Sequence, residues 1–351
     1  MTEMLQAASE AGRRAWLVRT VVGLSLVALV ATKRHDLARS WNEIRVVSGI
    51  GLATLLGVTA LQVLMRALVL RSTLPNLEVR RALLVSEASV GSQNSLVGGG
   101  LVASGLRVSM LRSWGIPGES IAVSLFASSV FAQYAVWSLA LICSAASVAR
   151  GVPGSLPGTV AVAASLVLTW LTVVGWLLVY RPTLGNLLAR NGDRLVSFIR
   201  KRVRRLPDLQ LVNRAADGRE SARQFLRERG WRTFALAVSS QVALAIVLVV
   251  SLRAFHVGEQ LVTIPEVLTA FALVRVAASV TPAPGGVGVT EAGLAHLLST
   301  AGGPTSKVLA AVLTYRACTY LLPIPVGAAS ILLWQRHLKR ARTASGALAA
   351  A

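Results

Sequence analysis

The strongest constraint on this chain is a set of four apolar runs without Asp, Glu, Lys or Arg: Val46–Met65, Ser120–Ala149, Gly151–Tyr180 and Thr233–Leu252. Each run reaches the ~20 residues that an α-helix needs to cross the hydrocarbon core of a bilayer. Only 15% of the residues are charged, against about 25% in soluble domains. The sequence therefore predicts an all-α polytopic membrane protein with about six to eight membrane helices.

The order of apolar and basic segments predicts two membrane halves. In the first half, residues 1–180, we expect helices over 16–32, 46–70, 118–148 and 158–180 and a re-entrant segment over 82–112. Segment 181–232 carries fourteen Lys or Arg against five Asp or Glu, so we expect it to be cytosolic, with much of it helical along the membrane surface. The second half covers 233–336. The basic tail 337–351 and the N-terminus are expected on the cytosolic side.

The net charge of +21 is typical of a protein that obeys the positive-inside rule. The chain has no zinc-finger spacing and no aromatic RNA-binding stretch, so we expect no nucleic-acid partner. Anionic lipid headgroups are the natural partners of such a charge. Cys143 and Cys318 lie in apolar runs and are expected to be reduced packing residues. The four histidines show no metal-ligand spacing, and we expect no metal and no cofactor.

One stretch departs from its apolar surroundings: TPAPGGVGVTEAG, residues 281–293. Pro282 and Pro284 should end the preceding helix, because proline lacks a backbone donor and restricts the residue before it. The glycines at 285, 286 and 288 would let the chain reverse and begin another helix. Non-helical backbone at membrane depth survives only where it is buried in protein or lines a wet cavity. We therefore favour a re-entrant hairpin over an ordinary extracellular loop between two spanning helices.

A second glycine-rich region, from Val97, resembles this stretch in its place between helices. A shift of 187 residues aligns Gly99 with Gly286 and Gly115 with Gly302. The predicted topology brings the two regions in from opposite sides of the membrane, as in an inverted repeat. Transporters with inverted repeats place substrate sites at such broken helices near the midplane.

Charged residues in apolar surroundings are the candidate site. Arg275, Glu291 and Arg316 are expensive at the bilayer centre and are expected to face an interior cavity or to pair with one another. Two interpretations stay open at this stage: an internal Arg–Glu pair that holds the motif in place, or a site where arginines bind an anionic headgroup. In the first half, Glu87 and Arg107 are candidates for a matching site, together with Asn94 and Gly99.

The segment PAPGGVGVTEAGL resembles the signature of the lysylphosphatidylglycerol synthase transmembrane, or flippase-like, family. The signature positions are Pro284, Gly285, Gly286, Val287, Gly288, Val289 and Glu291. A later tyrosine–arginine element of the family looks like Tyr315 and Arg316. Its first-half element looks like Asn94, Gly98–Gly100 and Arg107, but the usual Pro and the Glu of a Gly-Glu pair are replaced by GGGLVASG.

The resemblance implies lipid handling in a bacterial or archaeal plasma membrane. In members with both parts, the membrane region moves lysyl-phosphatidylglycerol and a separate cytosolic domain makes it from aminoacyl-tRNA. The last predicted helix is followed by about fifteen residues, so the resemblance concerns the membrane region and we expect no lysyltransferase activity. No P-loop, Ser-His-Asp group or paired carboxylates point to other enzyme chemistry.

These observations lead to one expected function and two alternatives. The expected function is translocation or binding of an anionic lipid, either a phospholipid or a polyprenyl-phosphate-linked envelope precursor. Arg275, Tyr315 and Arg316 would bind its headgroup beside the glycine turn, and Glu291 would orient an arginine or carry a coupling proton. The first alternative is a non-transporting partner of an envelope glycosyltransferase or lipid-synthesis enzyme, docked on segment 181–232. The second is a membrane-embedded transferase.

Overall fold

The computed structural model describes residues 48–74, 76–95, 99–149, 155–180, 211–281 and 284–350. In these ranges the chain is helical and contains no β-strand. The α-helices are α1 (Gly49–Thr73), α2 (Val79–Ser95), α3 (Gly99–Ser113), α4 (Gly118–Ala149), α5 (Ser155–Tyr180), α6 (Leu211–Ala254), α7 (Ile264–Val280), α8 (Val289–Thr300), α9 (Thr305–Arg316) and α10 (Pro323–Ala350). A 3₁₀ turn covers Pro284–Gly286, and a π-helical turn covers Ala317–Leu321.

Four of the described helical stretches are long and apolar enough to cross a membrane: Gly49–Thr73, Gly118–Ala149, Glu220–Ala254 and Thr305–Leu338. A shorter apolar stretch, Val162–Gly175, lies in α5. The prediction of an all-helical, multi-pass membrane protein is confirmed. The total number of spans stays a prediction. The predicted first helix, 16–32, and the most basic part of segment 181–232, as far as residue 210, lie outside the described residues.

No helix end separates the described part of the basic segment from the apolar residues after residue 232. Residues 211–232 and the apolar residues after them form one helix of 44 residues, α6. Charge alone does not end a helix, because Arg, Glu and Gln are good helix formers. Gly230 also lies inside α6 without ending it.

The two glycine-rich regions have the same order of elements. Helices α2 and α7 each contain 17 residues and come shortly before a glycine-rich stretch of the sequence. Ser113, the last residue of α3, and Thr300, the last of α8, are 187 positions apart, and the same interval separates the first residues of α4 and α9. Gly115 and Gly302, in the following turns, both have positive φ. The shift of 187 residues that aligns the glycines therefore also aligns the last residues of α3 and α8 and the first residues of α4 and α9.

The described chain divides into two compact units. Unit one combines the residues up to Thr59 with Ala88–Ala103 and Ala245–Ala329, and unit two combines Ala60–Glu87 with Ser104–Leu244 and the residues from Ser330 onward. Both units are made of segments that are distant in the sequence. The core of unit one includes Val247, Leu248, Phe271, Leu294, Leu298 and Ala311, and that of unit two includes Leu70, Val85, Met110, Leu111 and Ile121.

Short polar side chains join the helices inside each unit. In unit two, the Thr73 and Ser124 hydroxyls are 2.6 Å apart, and Ser72 donates to the hydroxyl of Thr233 at 3.0 Å. In unit one, the buried Ser251 hydroxyl donates to the carbonyl of Ala311 at 2.6 Å. Hydroxyl bonds and small residues are the expected means of packing helices in lipid, where burial of apolar surface gives no net gain.

The closest approach of α2 to α10 in unit one gives a stability prediction. A Cβ added at Gly91 would lie 2.6 Å from the carbonyl oxygen of Pro323 and 2.9 Å from the Cα of Gly327. We expect Gly91→Ala to cost about 1–3 kcal/mol of stability through overpacking. Thermal unfolding of the purified protein in detergent measures the loss.

Gly57→Ala in α1 is the matched control, because a Cβ at Gly57 would meet no atom within 4 Å. Alanine is favoured over glycine inside a helix by roughly 0.5–1 kcal/mol, so this variant should unfold at the wild-type temperature or above. Equal unfolding temperatures for the two variants would contradict the close packing at Gly91.

Candidate functional site

The PGGVG turn between α7 and α8 depends on glycine at three positions. Helix α7 ends at Val280, and Thr281 is extended with φ −86° and ψ 133°, as expected for the residue before Pro282. Gly285, Gly286 and Gly288 then have φ values of +59°, +65° and +84°, a region that L side chains rarely enter. The predicted end of α7 and the glycine turn before α8 are therefore present.

Two of these glycines also let neighbouring groups approach closely. A Cβ at Gly285 would clash with the ring of Tyr320, and a Cβ at Gly286 would lie 2.8 Å from the Cβ of Ala278 on α7. A Cβ at Gly288 would meet nothing within 4 Å, so at that position the backbone conformation is the reason for glycine. Pro284 opens the 3₁₀ turn that contains the first two glycines.

Glu291 connects this turn to the end of α9. It lies in the first turn of α8, and its Oε2 accepts a hydrogen bond from the backbone N–H of Gly288 at 2.6 Å. Its Oε1 accepts from Nε of Arg316, also at 2.6 Å. The side chain of Arg316 is only 12% exposed, and that of Glu291 is 20% exposed. Of the two interpretations of these charges, the internal Arg–Glu pair is therefore present; Arg316 occupies one oxygen of the carboxylate and the N–H of Gly288 the other.

Arg316 also contacts Tyr320 in the following π-helical turn. The guanidinium carbon lies 4.5 Å from the centre of the Tyr320 ring, within the range of a cation–π interaction. The π turn closes with a bond from the N–H of Leu322 to the carbonyl of Ala317 at 2.8 Å. Pro323 follows at once, and because proline lacks an N–H and crowds the preceding turn, a wider turn is favoured here.

Tyr320 in turn binds Asn94, at the end of α2. The Tyr320 hydroxyl donates to the carbonyl of Asn94 at 2.9 Å, and Nδ2 of Asn94 donates to the carbonyl of Tyr320 at 3.0 Å. Asn94 and Tyr320, which are 226 positions apart, thus exchange two hydrogen bonds. These bonds fix the end of α2 beside the glycine turn of unit one.

Arg275 and Tyr315 complete the group in unit one. Arg275 lies on α7 and interacts electrostatically with both Tyr315 and Arg316, and the Tyr315 side chain is buried. No described residue accepts a hydrogen bond from Nε of Arg275 or from Nη2 of Arg316, although both atoms are buried. The group therefore holds two guanidinium ions and one carboxylate among the described residues, which leaves one positive charge in excess.

The first-half candidates divide between the two units. Asn94 belongs to unit one, as does Gly99, where a Cβ would lie 2.6 Å from the carbonyl oxygen of Gln93. Glu87 and Arg107 belong to unit two. Nη1 of Arg107 donates to the hydroxyl of Ser128 at 3.2 Å. The four residues expected to form one matching site are therefore distributed between two compact units.

Glu87 has a partner that the sequence analysis missed, Arg66 of α1. Nη2 of Arg66 lies 2.9 Å from Oε1 of Glu87. Arg66 had a detectable signal, since it alone interrupts the apolar stretch from Val46 to Leu70. Tyr320 was also missed; its position four residues after Arg316 places it on the same helical face.

The fold and these buried charges define a multi-pass helical membrane protein with polar groups at broken helices. The chain belongs to the family described as the lysylphosphatidylglycerol synthase transmembrane region, whose profile matches residues 16–327. The resemblance carried by PAPGGVGVTEAGL is thus confirmed across most of the chain. No protein with a curated description matches this sequence significantly.

The Glu291–Arg316 contact predicts a coupling energy. We expect Glu291→Ala and Arg316→Ala each to lose about 1–3 kcal/mol of stability, because each leaves a charged partner without its hydrogen bond. The double variant should lose less than the sum of the two, since both remove the same interaction. Unfolding curves of the three variants in detergent measure this difference, and strictly additive losses would contradict the pairing.

Proposed function

We propose that this protein binds an anionic lipid in the plasma membrane and moves its headgroup across the bilayer. The lipid is a phospholipid or a polyprenyl-phosphate-linked envelope precursor. The family match supports a lipid-related role in a membrane. The proposal assigns headgroup binding to Arg275, Tyr315 and Arg316 beside the glycine turn of unit one.

The observation that carries the proposal is the excess positive charge of the group formed by Arg275, Glu291 and Arg316. Glu291 is already bonded through both oxygens, so it orients Arg316 and leaves the charge of Arg275 unmatched among the described residues. A buried cation without a counter-ion is costly in lipid. A phosphate group would supply the missing negative charge and would accept the bonds that Nε of Arg275 and Nη2 of Arg316 lack.

The glycine turn suits this role. Helix α7 has 17 residues and α8 has 12, or about 26 Å and about 18 Å of helix at 1.5 Å per residue. Both fall short of the ~30 Å hydrocarbon core. We propose that they form a re-entrant hairpin whose turn admits the headgroup, while the acyl or prenyl tails stay in lipid. The desolvation cost of carrying a phosphate through hydrocarbon is then avoided.

Lipid movement in proteoliposomes tests the proposal. We expect wild-type protein to move fluorescent phosphatidylglycerol or a polyprenyl phosphate between leaflets. Arg316→Ala and Arg275→Ala should slow that movement roughly tenfold to a hundredfold, because each loses a charge-assisted bond to phosphate. Comparing the two lipids ranks them as substrates.

Lys307→Ala is the matched control, since it removes the same charge from the first turn of α9, at the opposite end of that helix from Arg316. It should move lipid at the wild-type rate. Folded wild-type protein that moves neither lipid would refute translocation and favour the alternative of a non-transporting partner of an envelope enzyme. An equal loss in Lys307→Ala would show that overall charge, and not this site, determines the rate.

A further inference from the structure

The two candidate-site carboxylates, the half-buried Glu291 and the buried Glu87, are bonded differently. Both oxygens of Glu291 accept hydrogen bonds, from Gly288 and from Arg316. Glu87 accepts one bond, from Arg66 to Oε1 at 2.9 Å. Its Oε2 is buried and has no partner among the described residues. Glu87 therefore keeps an acceptor oxygen that the fold leaves unused.

The exposure of the two partners limits what could reach that oxygen. The side chain of Glu87 is 5% exposed and that of Arg66 is 23% exposed. A buried charged oxygen without a donor carries a desolvation cost that a single ion pair repays only in part. A proton needs no cavity, and Oε2 itself makes no hydrogen bond to a described residue that would have to break first.

Protonation would change the charge of the pair and leave Arg66 accessible. Arg66 is the charged group that acts on Glu87 among the described residues. A guanidinium group keeps its charge in proteins, so the pair would pass from neutral to one net positive charge. Nε of Arg66 is also buried without a described partner. The protonated pair would then carry one positive charge without a counter-ion, and Arg66, which bears that charge, is the more exposed of the two side chains.

We propose that Glu87 takes up a proton on Oε2, and that this frees Arg66 of unit two to bind a phosphate-type anion, so that proton and anion bind together. The proton comes from a solvent hydronium ion: one of its O–H bonds breaks as the Oε2–H bond of Glu87 forms, the ion pair with Arg66 opens, and no electrons are transferred. The pair is neutral before the event, and neutral after it once the anion is bound. The choice of a lipid phosphate as that anion rests on the proposed function.

Infrared difference spectroscopy of the full chain in phosphatidylcholine nanodiscs tests the proton site. As the pH is lowered, we expect the carbonyl stretch of a protonated carboxylic acid to appear. Glu87→Gln should lose this band, and Glu291→Gln, the matched control, should retain it. A band of equal size in Glu87→Gln would overturn the proposal.

Arg66→Gln keeps the test decisive if Glu87→Gln does not fold. Without its counter-charge, Glu87 should remain protonated, so the acid band should persist throughout the pH range studied. A band that titrates in this variant as it does in wild type would overturn the proposal.

Adding the anion tests the coupling. Phosphatidylglycerol in the nanodisc should move the titration to higher pH, by about one pH unit if the protonated form binds it tenfold more tightly. Inorganic phosphate, tested separately, should produce the same shift if a free anion is sufficient. A Glu87 band that responds to neither anion would overturn the coupling. A responsive band in a protein that moves no lipid would refute the proposed translocation and leave the proton site standing.

Discussion

The bond between Arg316 and Glu291 is the interaction on which the arrangement of unit one depends. It joins the last residue of α9 to the first turn of α8, and the second oxygen of the same carboxylate accepts the N–H of Gly288. A backbone turn at membrane depth is stable only when its polar groups find partners inside the protein. One carboxylate supplies a partner both for the turn and for a cation that lipid would not tolerate alone. The turn, the short helix after it and the arginine are therefore positioned together.

Unit two also contains arginines and a glutamate in apolar surroundings, but the glutamate is hydrogen-bonded differently. There Arg66 pairs with Glu87, and Arg107 bonds to a serine hydroxyl. The glutamate of unit one is satisfied on both oxygens and is suited to a fixed, orienting role. That of unit two keeps one oxygen unpaired, which suits a change of protonation. This contrast separates the two roles that the sequence analysis left open for Glu291, and we propose proton uptake for Glu87.

Local sequence signals predicted much of this architecture. Composition and charge-free runs predicted helices, and α4, expected at 118–148, is found at Gly118–Ala149. Closely spaced Pro and Gly predicted the turn at 284–288, because few other residues adopt positive φ. Contacts between distant segments were not predictable in this way, and the pairing of Asn94 with Tyr320 is one example. Nor did charge content reveal that α6 continues through residue 232, since charged residues can be good helix formers.

We propose above all that the turn at 284–288 lines a wet site for an anionic headgroup, and labelling of a single cysteine tests this most directly. Val287→Cys would be prepared with Cys143 and Cys318, both free and buried, replaced by alanine. A membrane-impermeant thiol reagent should label it in phosphatidylcholine nanodiscs, and phosphatidylglycerol should slow the labelling. Zwitterionic phosphatidylethanolamine, added in the same amount, should leave the rate unchanged. No labelling, or a rate that anionic lipid does not alter, would contradict the account.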